Sequence, residues 1–557
     1  MIRIFCRNIN EFIDIEGGTS LAQLASSLKN RLDFNPICAR VNNKNQNLDF
    51  PIYQPKQVEF MSASSDQGQR VVARSLCMLL YRALYSIDPS LRLHIEHSIS
   101  RGILCRLSNP DGNSVIPEQS LIDTLRAEMR RLADADLPFE EREAPTRDVI
   151  EIFRRQGLDS KVALLETSPN LYTTYYMLDG VADSYYSALA PSTGFLRVFD
   201  IIKYHEGILL LGPDTANPDM PRQPITQDKM LGAYEEYILF NRAIKVSGVG
   251  ELNKAVRAND TALLINVAEA IHDKYLGGIA ARIARLHKEG GARIVLLAGP
   301  SSSGKTTTTK RLGIQLMTNL LTPKMISLDD YFVNRECTPL DESGDYDYES
   351  LYALDLERLN SDLRRLLAGD EINLPTYSFE LGRRIERERP MRLESDEVLL
   401  IEGIHGLNPE LTSHLPQHQI FKVYVSALTS LSIDDHNWIS TTDNRLLRRI
   451  VRDHKYRHTS ATETIRRWPS VRRGEEKWIF PFQENADATF NSSLIFELGV
   501  MKDYAEPLLR RVPHDTPEYA EAYRLLKFLD YFDSIPASQV PTTSLLREFL
   551  GGSSFHY

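Results

Sequence analysis

Near the middle of the chain, apolar residues come in short unbroken runs: Arg293-Ile-Val-Leu-Leu-Ala298, Lys324-Met-Ile-Ser-Leu328, Glu397-Val-Leu-Leu-Ile401 and Ile420-Phe-Lys-Val-Tyr-Val425. Runs of this length and branching predict strands buried on both faces, and the helical stretches between them predict a parallel sheet flanked by helices. In such sheets ligands sit beyond the carboxyl ends of the strands. The amino-terminal stretch has another texture. Ile2 to Cys6 and Phe12 to Glu16 alternate like a hairpin, Ser20 opens a helix over Leu21 to Leu32, and strands are expected at Pro36 to Val41 and Gln57 to Met61. This ββαβ order predicts a small β-grasp fold.

From Gln69 to Pro224 the pattern is mixed α+β. Ile225 to Gly291 reads as helices interrupted at Ser247-Gly-Val-Gly250 and Gly277-Gly278. Beyond Val500 it is helical again, ending in a Gly551-Gly-Ser-Ser stretch expected to fray. With 557 residues the chain exceeds a single core, and the expected units are 1–62, 63–224, a helical connector 225–290, an α/β unit 291–500 and a helical extension 501–557. A net charge of −10 argues against nucleic-acid binding through a global basic field. Five scattered cysteines without a C-x-x-C pair indicate neither a disulfide framework nor a zinc site. His94 and His97, three apart, invite a metal reading but lack further ligands nearby, so ordinary structural histidines are expected. No signal-like region opens the sequence and no apolar run is long enough to span a bilayer, so a reducing cytoplasm is the expected setting.

The chemistry gathers after the first of the central runs. Gly299-Pro300-Ser301-Ser302-Ser303-Gly304-Lys305-Thr306 is a complete phosphate-binding loop, with Thr307 continuing into the helix that starts at Lys305. Gly299 and Gly304 permit the tight turn that aims N–H groups at phosphate oxygens, Lys305 reaches the outer phosphates, and the Thr306 hydroxyl completes a Mg2+ shell. Asp329 and Asp330 follow the second run and Glu402 the third, where acids can face phosphates. Asp329 is expected to orient an acceptor hydroxyl, with Thr306, Glu402 and Asp329 around Mg2+ and ATP as the donor. Arg445, Arg448, Arg449 and Arg452 fall at i, i+3, i+4 and i+7, so one helical face carries all four. They are expected to form a lid, with Arg448 and Arg452 on ATP and Arg449 on the substrate, because guanidinium stays charged and binds phosphate in a fork. Arg457, Arg466, Arg467, Arg472 and Arg473 extend the basic region without assigned roles.

Taken in order, Gly299 to Thr306, Ser327-Leu-Asp-Asp-Tyr-Phe332, Pro375-Thr-Tyr-Ser-Phe379, Glu402-Gly-Ile404 and Arg448-Arg-Ile-Val-Arg-Asp453 resemble the uridine kinase and phosphoribulokinase family of P-loop kinases over about two hundred residues. The resemblance implies that Asp329 engages the acceptor hydroxyl, Asp347 holds a ribose, and Tyr377 and Phe379 line a base pocket, the acceptor being a nucleoside with uridine or cytidine first. Where pyrimidine nucleoside kinases carry a base-contacting histidine, Gly382 stands here, followed by Arg383 and Arg384. His405 and His436 are expected to pack.

The front resembles the TGS domain of threonyl-tRNA synthetases and some GTPases. Arg74-Ser-Leu-Cys-Met-Leu-Leu80 and Pro191-Ser-Thr-Gly194 resemble landmarks of the second additional domain of threonyl- and alanyl-tRNA synthetases, as in long bacterial nucleoside kinases. The metal ligands of that domain are replaced by Arg74, Met78 and Ala188-Leu-Ala190, so neither zinc nor editing hydrolysis is expected. Three alternatives stay open: another hydroxyl acceptor such as a sugar phosphate or pantothenate, a nucleotide-switched RNA- or ribosome-associated protein with RNA on the front half, and a homo-oligomer. A GTPase version fits poorly: Asp341 and Gly344 follow no buried run, and neither Asn43-Lys44 nor Asn253-Lys254 continues into N-K-x-D.

Overall fold

The computed structural model describes residues 1–341, 344–385 and 387–556. The front unit is a mixed five-stranded sheet in the order Glu11–Ile15, Ile2–Cys6, Gln57–Met61, Cys38–Val41, Lys44–Gln46, with Ile2–Cys6 and Gln57–Met61 parallel. One helix, Leu21–Ser27, packs Leu21 and Leu24 onto it and is capped reciprocally by Ser20 and Gln23. The helix stops before Leu32 because the chain turns at Leu28.

The second unit packs helix Asp66–Ile87 against a sheet built on Arg92–Ile99, Gly102–Ser108, Asp200–Tyr204 and Gly207–Leu211, beside a three-stranded sheet from Glu140 to Asp183. His94 and His97 lie on strand Arg92–Ile99, where a spacing of three sends them to different neighbours. His94 bonds Asp435 and Ser108, whereas buried His97 stacks on Tyr234 at 5.1 Å. Buried Arg74 sits over the Tyr186 ring.

The sheet of the α/β unit has five parallel strands: β1 (Ile294–Ala298), β2 (Thr322–Ser327), β3 (Glu397–Glu402), β4 (Ile420–Ser426) and β5 (Ala488–Asn491), ordered β2-β3-β1-β4-β5. Central β1 is buried along its whole length, as its unbroken apolar run requires. Helices α1 (Lys305–Thr318), α2 (Thr441–Arg457) and α3 (Ala461–Trp478) flank the site end. The helices over 228–288 and 497–550 share one apolar core with this sheet, from Val249 and Leu276 through Leu297 and Leu447 to Phe528 and Phe549. The expected frayed end is overturned: buried Leu545, Leu546, Phe549 and Leu550 dock the last turn, and Ser554 N–H bonds the Thr542 carbonyl. Among the described residues no helix is long and apolar enough to cross a membrane.

Candidate active site

The loop from Gly299 to Gly304 joins β1 to α1 and is shaped by what crowds it. A Cβ on Gly299 would stand 2.0 Å from the Val425 carbonyl oxygen of β4, and Gly304 has φ +84°, a conformation that side chains resist. Ser302 also has positive φ. The loop's carbonyls are held from behind: Arg445 Nε donates to Ser301 O at 2.9 Å, Lys305 Nζ to Pro300 O at 3.1 Å, and the Ser492 hydroxyl to Ser303 O. Glu475 accepts from Ser301 N–H at 3.0 Å. Helix geometry leaves the N–H groups of Lys305, Thr306 and Thr307 without acceptors inside α1, which makes this end an anion seat.

The sheet register brings the acids alongside. Ser327 at the end of β2 pairs with Glu402 at the end of β3, which in turn pairs with Leu297 of β1. Ser327 Oγ donates to Glu402 Oε1 at 3.0 Å and accepts from Asp329 N–H at 3.3 Å, so one hydroxyl ties both acidic segments together. Asp329 and Asp330 sit on the 3-10 turn Leu328–Tyr331 and diverge. Asp330 bonds Arg389 Nη1 at 2.8 Å and accepts from Tyr377 N–H, so it anchors the neighbouring hairpin. Asp329 opens to solvent in the cleft.

Electrostatics put Asp329, Glu402 and Lys305 in one field. Burial depresses the Lys305 ammonium's pKa against the pull of Glu402 and Asp329. Although Asp329 reaches solvent, the protein around it still excludes enough water to push its carboxyl up, opposed by Lys305 and Arg457. Burial and the charge of Asp329 push Glu402 up to about 7. Two carboxylates that resist ionising together are hard oxygen donors short of a cation, and with the Thr306 hydroxyl on the first turn of α1 they make a set that fits Mg2+. Among the described residues no three acids, histidines or cysteines gather as a metal cage. Mg2+ needs none, because it leans on phosphate oxygens and water.

The arginine stripe divides in two. Arg445 and Arg448 are among the most buried side chains, paired with Glu475 and Glu497, and Arg448 Nη2 also donates to Ser492 O at 2.9 Å. In this structure neither is a lid: Arg448, expected on ATP, is committed to holding the loop and the end of β5. Arg449 donates to Ser301 Oγ at 2.8 Å and pairs with Asp453, and Arg452 pairs with Asp453. Arg452 acts electrostatically on both Lys305 and Asp329.

Behind the Asp329 turn, Phe332, Tyr377 and Phe379 form an aromatic cluster with centroids 5.1–5.6 Å apart. Tyr377 is buried within it, whereas Phe379 is 55% exposed and offers an open ring face. Gly382 has φ +65°, and a Cβ there would meet the Arg335 guanidinium at 2.6 Å. Asp347 is half-buried and accepts from Glu349 N–H at 3.1 Å. His405 is buried edge-on to Trp478, and His436 is buried on Asp183. Sequence reasoning missed Ser327, Glu349, Glu475 and Arg335. Glu349 is pushed up to about 7 by burial and the charge of Glu475, within the field of Lys305. The serine before Leu328-Asp329 was the one local signal that the pattern offered.

Comparison with known proteins finds separate relatives for the carboxyl-terminal region and for the rest of the chain. The model of the "Phosphoribulokinase / Uridine kinase family" matches residues 294–494, so the carboxyl-terminal region carries a domain of that family. The uridine kinase of Bacillus pumilus is 29% identical over 195 residues, covering 35% of this chain and 83% of that protein. A threonine–tRNA ligase of Halorhodospira halophila is 28% identical over 183 residues, 32% of this chain but only 28% of the ligase, and the ligase likeness falls outside the kinase-like region. A solved structure of a possible uridine kinase from Bacillus stearothermophilus aligns at 20% identity over 38% of this chain and 97% of its own, with a TM-score of 0.26.

Proposed function

We propose that residues 291–500 transfer the γ-phosphate of ATP to the 5'-hydroxyl of a nucleoside, uridine or cytidine first. The observation that carries this reading is the convergence of Asp329, Glu402 and Lys305 at the carboxyl ends of β2, β3 and β1. Phosphoryl transfer asks a protein for positioning and charge compensation around a loose transition state. Lys305 and the first N–H groups of α1 hold the donor's phosphates. Asp329 orients the acceptor hydroxyl and takes its proton late. Thr306, Glu402 and Asp329 would hold Mg2+, which would supply compensating charge for the phosphates. Arg452 closes over the donor from α2, and Arg449, expected on the substrate, joins it there because its guanidinium is tied to Ser301 of the phosphate loop.

On the acceptor side, the open face of Phe379 supports stacking on a planar base, which a sugar phosphate would not use. Arg335, which fills the space beside Gly382, supplies hydrogen-bond donors where no histidine is available. Asp347 holds the ribose. Residues 1–62 are read as TGS-like and 63–224 as synthetase-like without hydrolytic metal ligands; 225–290 and 501–557 are helical supports of the kinase core. The uridine kinase relatives support the acceptor class.

The test is ADP release by the full-length protein with ATP and Mg2+ across a panel of nucleosides. Release accelerated by a nucleoside is expected. Release no faster with any nucleoside than with none rejects the reading.

A further inference from the structure

The end of the chain returns to the phosphate loop. Glu548, half-buried on the short helix Arg547–Leu550, accepts through Oε2 from the Thr307 N–H at 3.1 Å and from the Thr307 hydroxyl at 2.7 Å. Leu545 closes over Gly304, where a Cβ would stand 2.6 Å from Leu545 Cδ2. Phe549 lies under the Arg448 guanidinium at 5.1 Å, and Lys455 Nζ donates to Leu550 O at 2.6 Å. The segment is thus docked on the loop by apolar contacts and aims one carboxylate at it.

Thr307 N–H is the third of the donors that α1 leaves without an intrahelical acceptor, and it adjoins the Lys305-Thr306 pair that meets a nucleotide's phosphates. A carboxylate bonded to that N–H and hydroxyl uses the donors that a phosphate group needs, with charge of the same sign. Both cannot occupy the place together, because two anions on one pair of donors repel and one is left unsatisfied. We propose that the carboxyl-terminal segment is a built-in competitor for the triphosphate, in which Glu548 stands in for a phosphate group at Thr307 and the segment lifts when nucleotide binds. The inference rests on the nucleotide-binding reading above and adds its regulation.

The charge of Glu548 already reaches the catalytic groups: it counts among the acids that draw on Lys305 and oppose ionisation of Glu402. With Asp329, three carboxylates face one lysine while the segment is docked. Lifting it removes one negative charge as the triphosphate arrives, which keeps the seat from accumulating anions. The docking element is a four-residue helix with its flanking turns, short enough to open as a local unit.

The test measures binding of a fluorescent ATP analogue with Mg2+ to the full-length protein and to Glu548→Gln, which keeps size and an acceptor oxygen but removes the charge. A segment closed roughly nine-tenths of the time weakens apparent affinity about tenfold, so the variant should bind about tenfold more tightly. In parallel, hydrogen exchange over residues 543–551 of the wild type should speed up when ATP and Mg2+ are added. If wild type binds the analogue but the variant binds no more tightly, or exchange does not accelerate, the competitor is overturned while the nucleotide site stands. If neither protein binds the analogue, both readings fall together. Should the variant fail to fold, the exchange measurement on wild type decides alone.

Discussion

Replacing Glu402 by glutamine removes one carboxylate from a place where Asp329 and Glu402 share a single lysine. Burial and the Asp329 charge raise Glu402 from its ordinary 4.5 to about 7, against Lys305 and the Ser327 hydrogen bond. Between those values the folded chain holds the proton and the unfolded chain has lost it, so stability falls as pH rises through the window. Above pH 7 the full cost of ionising Glu402 in place is present, ~3 kcal/mol at about 1.36 kcal/mol per pH unit. Below about pH 4.5 both states are protonated and the cost vanishes. Glutamine never ionises and keeps an oxygen for Ser327. Without Mg2+ or nucleotide, the variant should therefore be more stable than wild type by ~3 kcal/mol at pH 8, and by under about 1 kcal/mol at pH 5. Thermal unfolding in chelator at the two pH values measures this, with about 2–4 °C expected per kcal/mol in a unit of this size. ATP with Mg2+ should stabilise wild type more than the variant, reversing the gap. An offset equal at both pH values refutes the reasoning, because it would not come from a charge. A variant less stable at pH 8 also refutes it, because Glu402 would then be an anchor rather than a strained ligand.

Lys305→Ala and Asp329→Asn should each lower nucleoside-dependent turnover by about a hundredfold or more, the scale of one preorganised transition-state contact; near-normal turnover in either rejects its role. Arg448→Ala strands Glu497 in the core, a loss of about 3–5 kcal/mol that should lower the melting temperature by on the order of ten degrees. Arg452→Ala should leave melting within about 2 °C and raise KM for ATP. Equal melting of these two variants would contradict the division of the stripe. Phe379→Ala should raise KM for the acceptor about tenfold with little change in kcat, as loss of uniform binding does; an unchanged KM removes Phe379 as a base platform.

The strands bearing the site were legible because both faces are buried. β1, β3 and β4 lie within a residue of the apolar runs and β2 within two, since an unbroken run admits few registers. β5 escaped notice: Ala-Thr-Phe-Asn is four residues at the sheet edge, with Thr489 and Asn491 diluting its pattern. The stripe on α2 shows where periodicity stops being informative. Spacing put four arginines on one face, but whether that face is covered depends on Glu475 of α3 and Glu497 of the next helix, distant partners that no local pattern announces. Glu548 is the extreme case, 241 residues from the threonine it touches. The histidines, expected to be ordinary structural ones, show the same limit of local pattern: a spacing of three means one face only on a helix, and His94 and His97 are on a strand with different neighbours.

The join between front half and kinase core follows the same logic and bears on why the two are fused. Lys161 is buried between Asp183 and Asp434, 2.8 Å from each, and His436 completes the cluster on Asp183. Burial alone would raise the Asp183 carboxyl, but Lys161 and His436 outweigh it and hold it well below the usual range. A second cluster runs from Arg70 of the front half through Glu521 and Arg524 to Asp443 on α2. Buried ion pairs add little net stability over apolar packing, but removing one partner leaves a costly unpaired charge, so they fix which surfaces meet. Asp443 lies two residues before Arg445, which holds the Ser301 carbonyl, and Arg524 lies on the helix that precedes the Glu548 segment. The front half is therefore built into the support of both the phosphate loop and the segment docked on it. Cutting the chain at residue 224 would strip Lys161 from Asp434 and Arg70 from Glu521, not release a self-sufficient kinase.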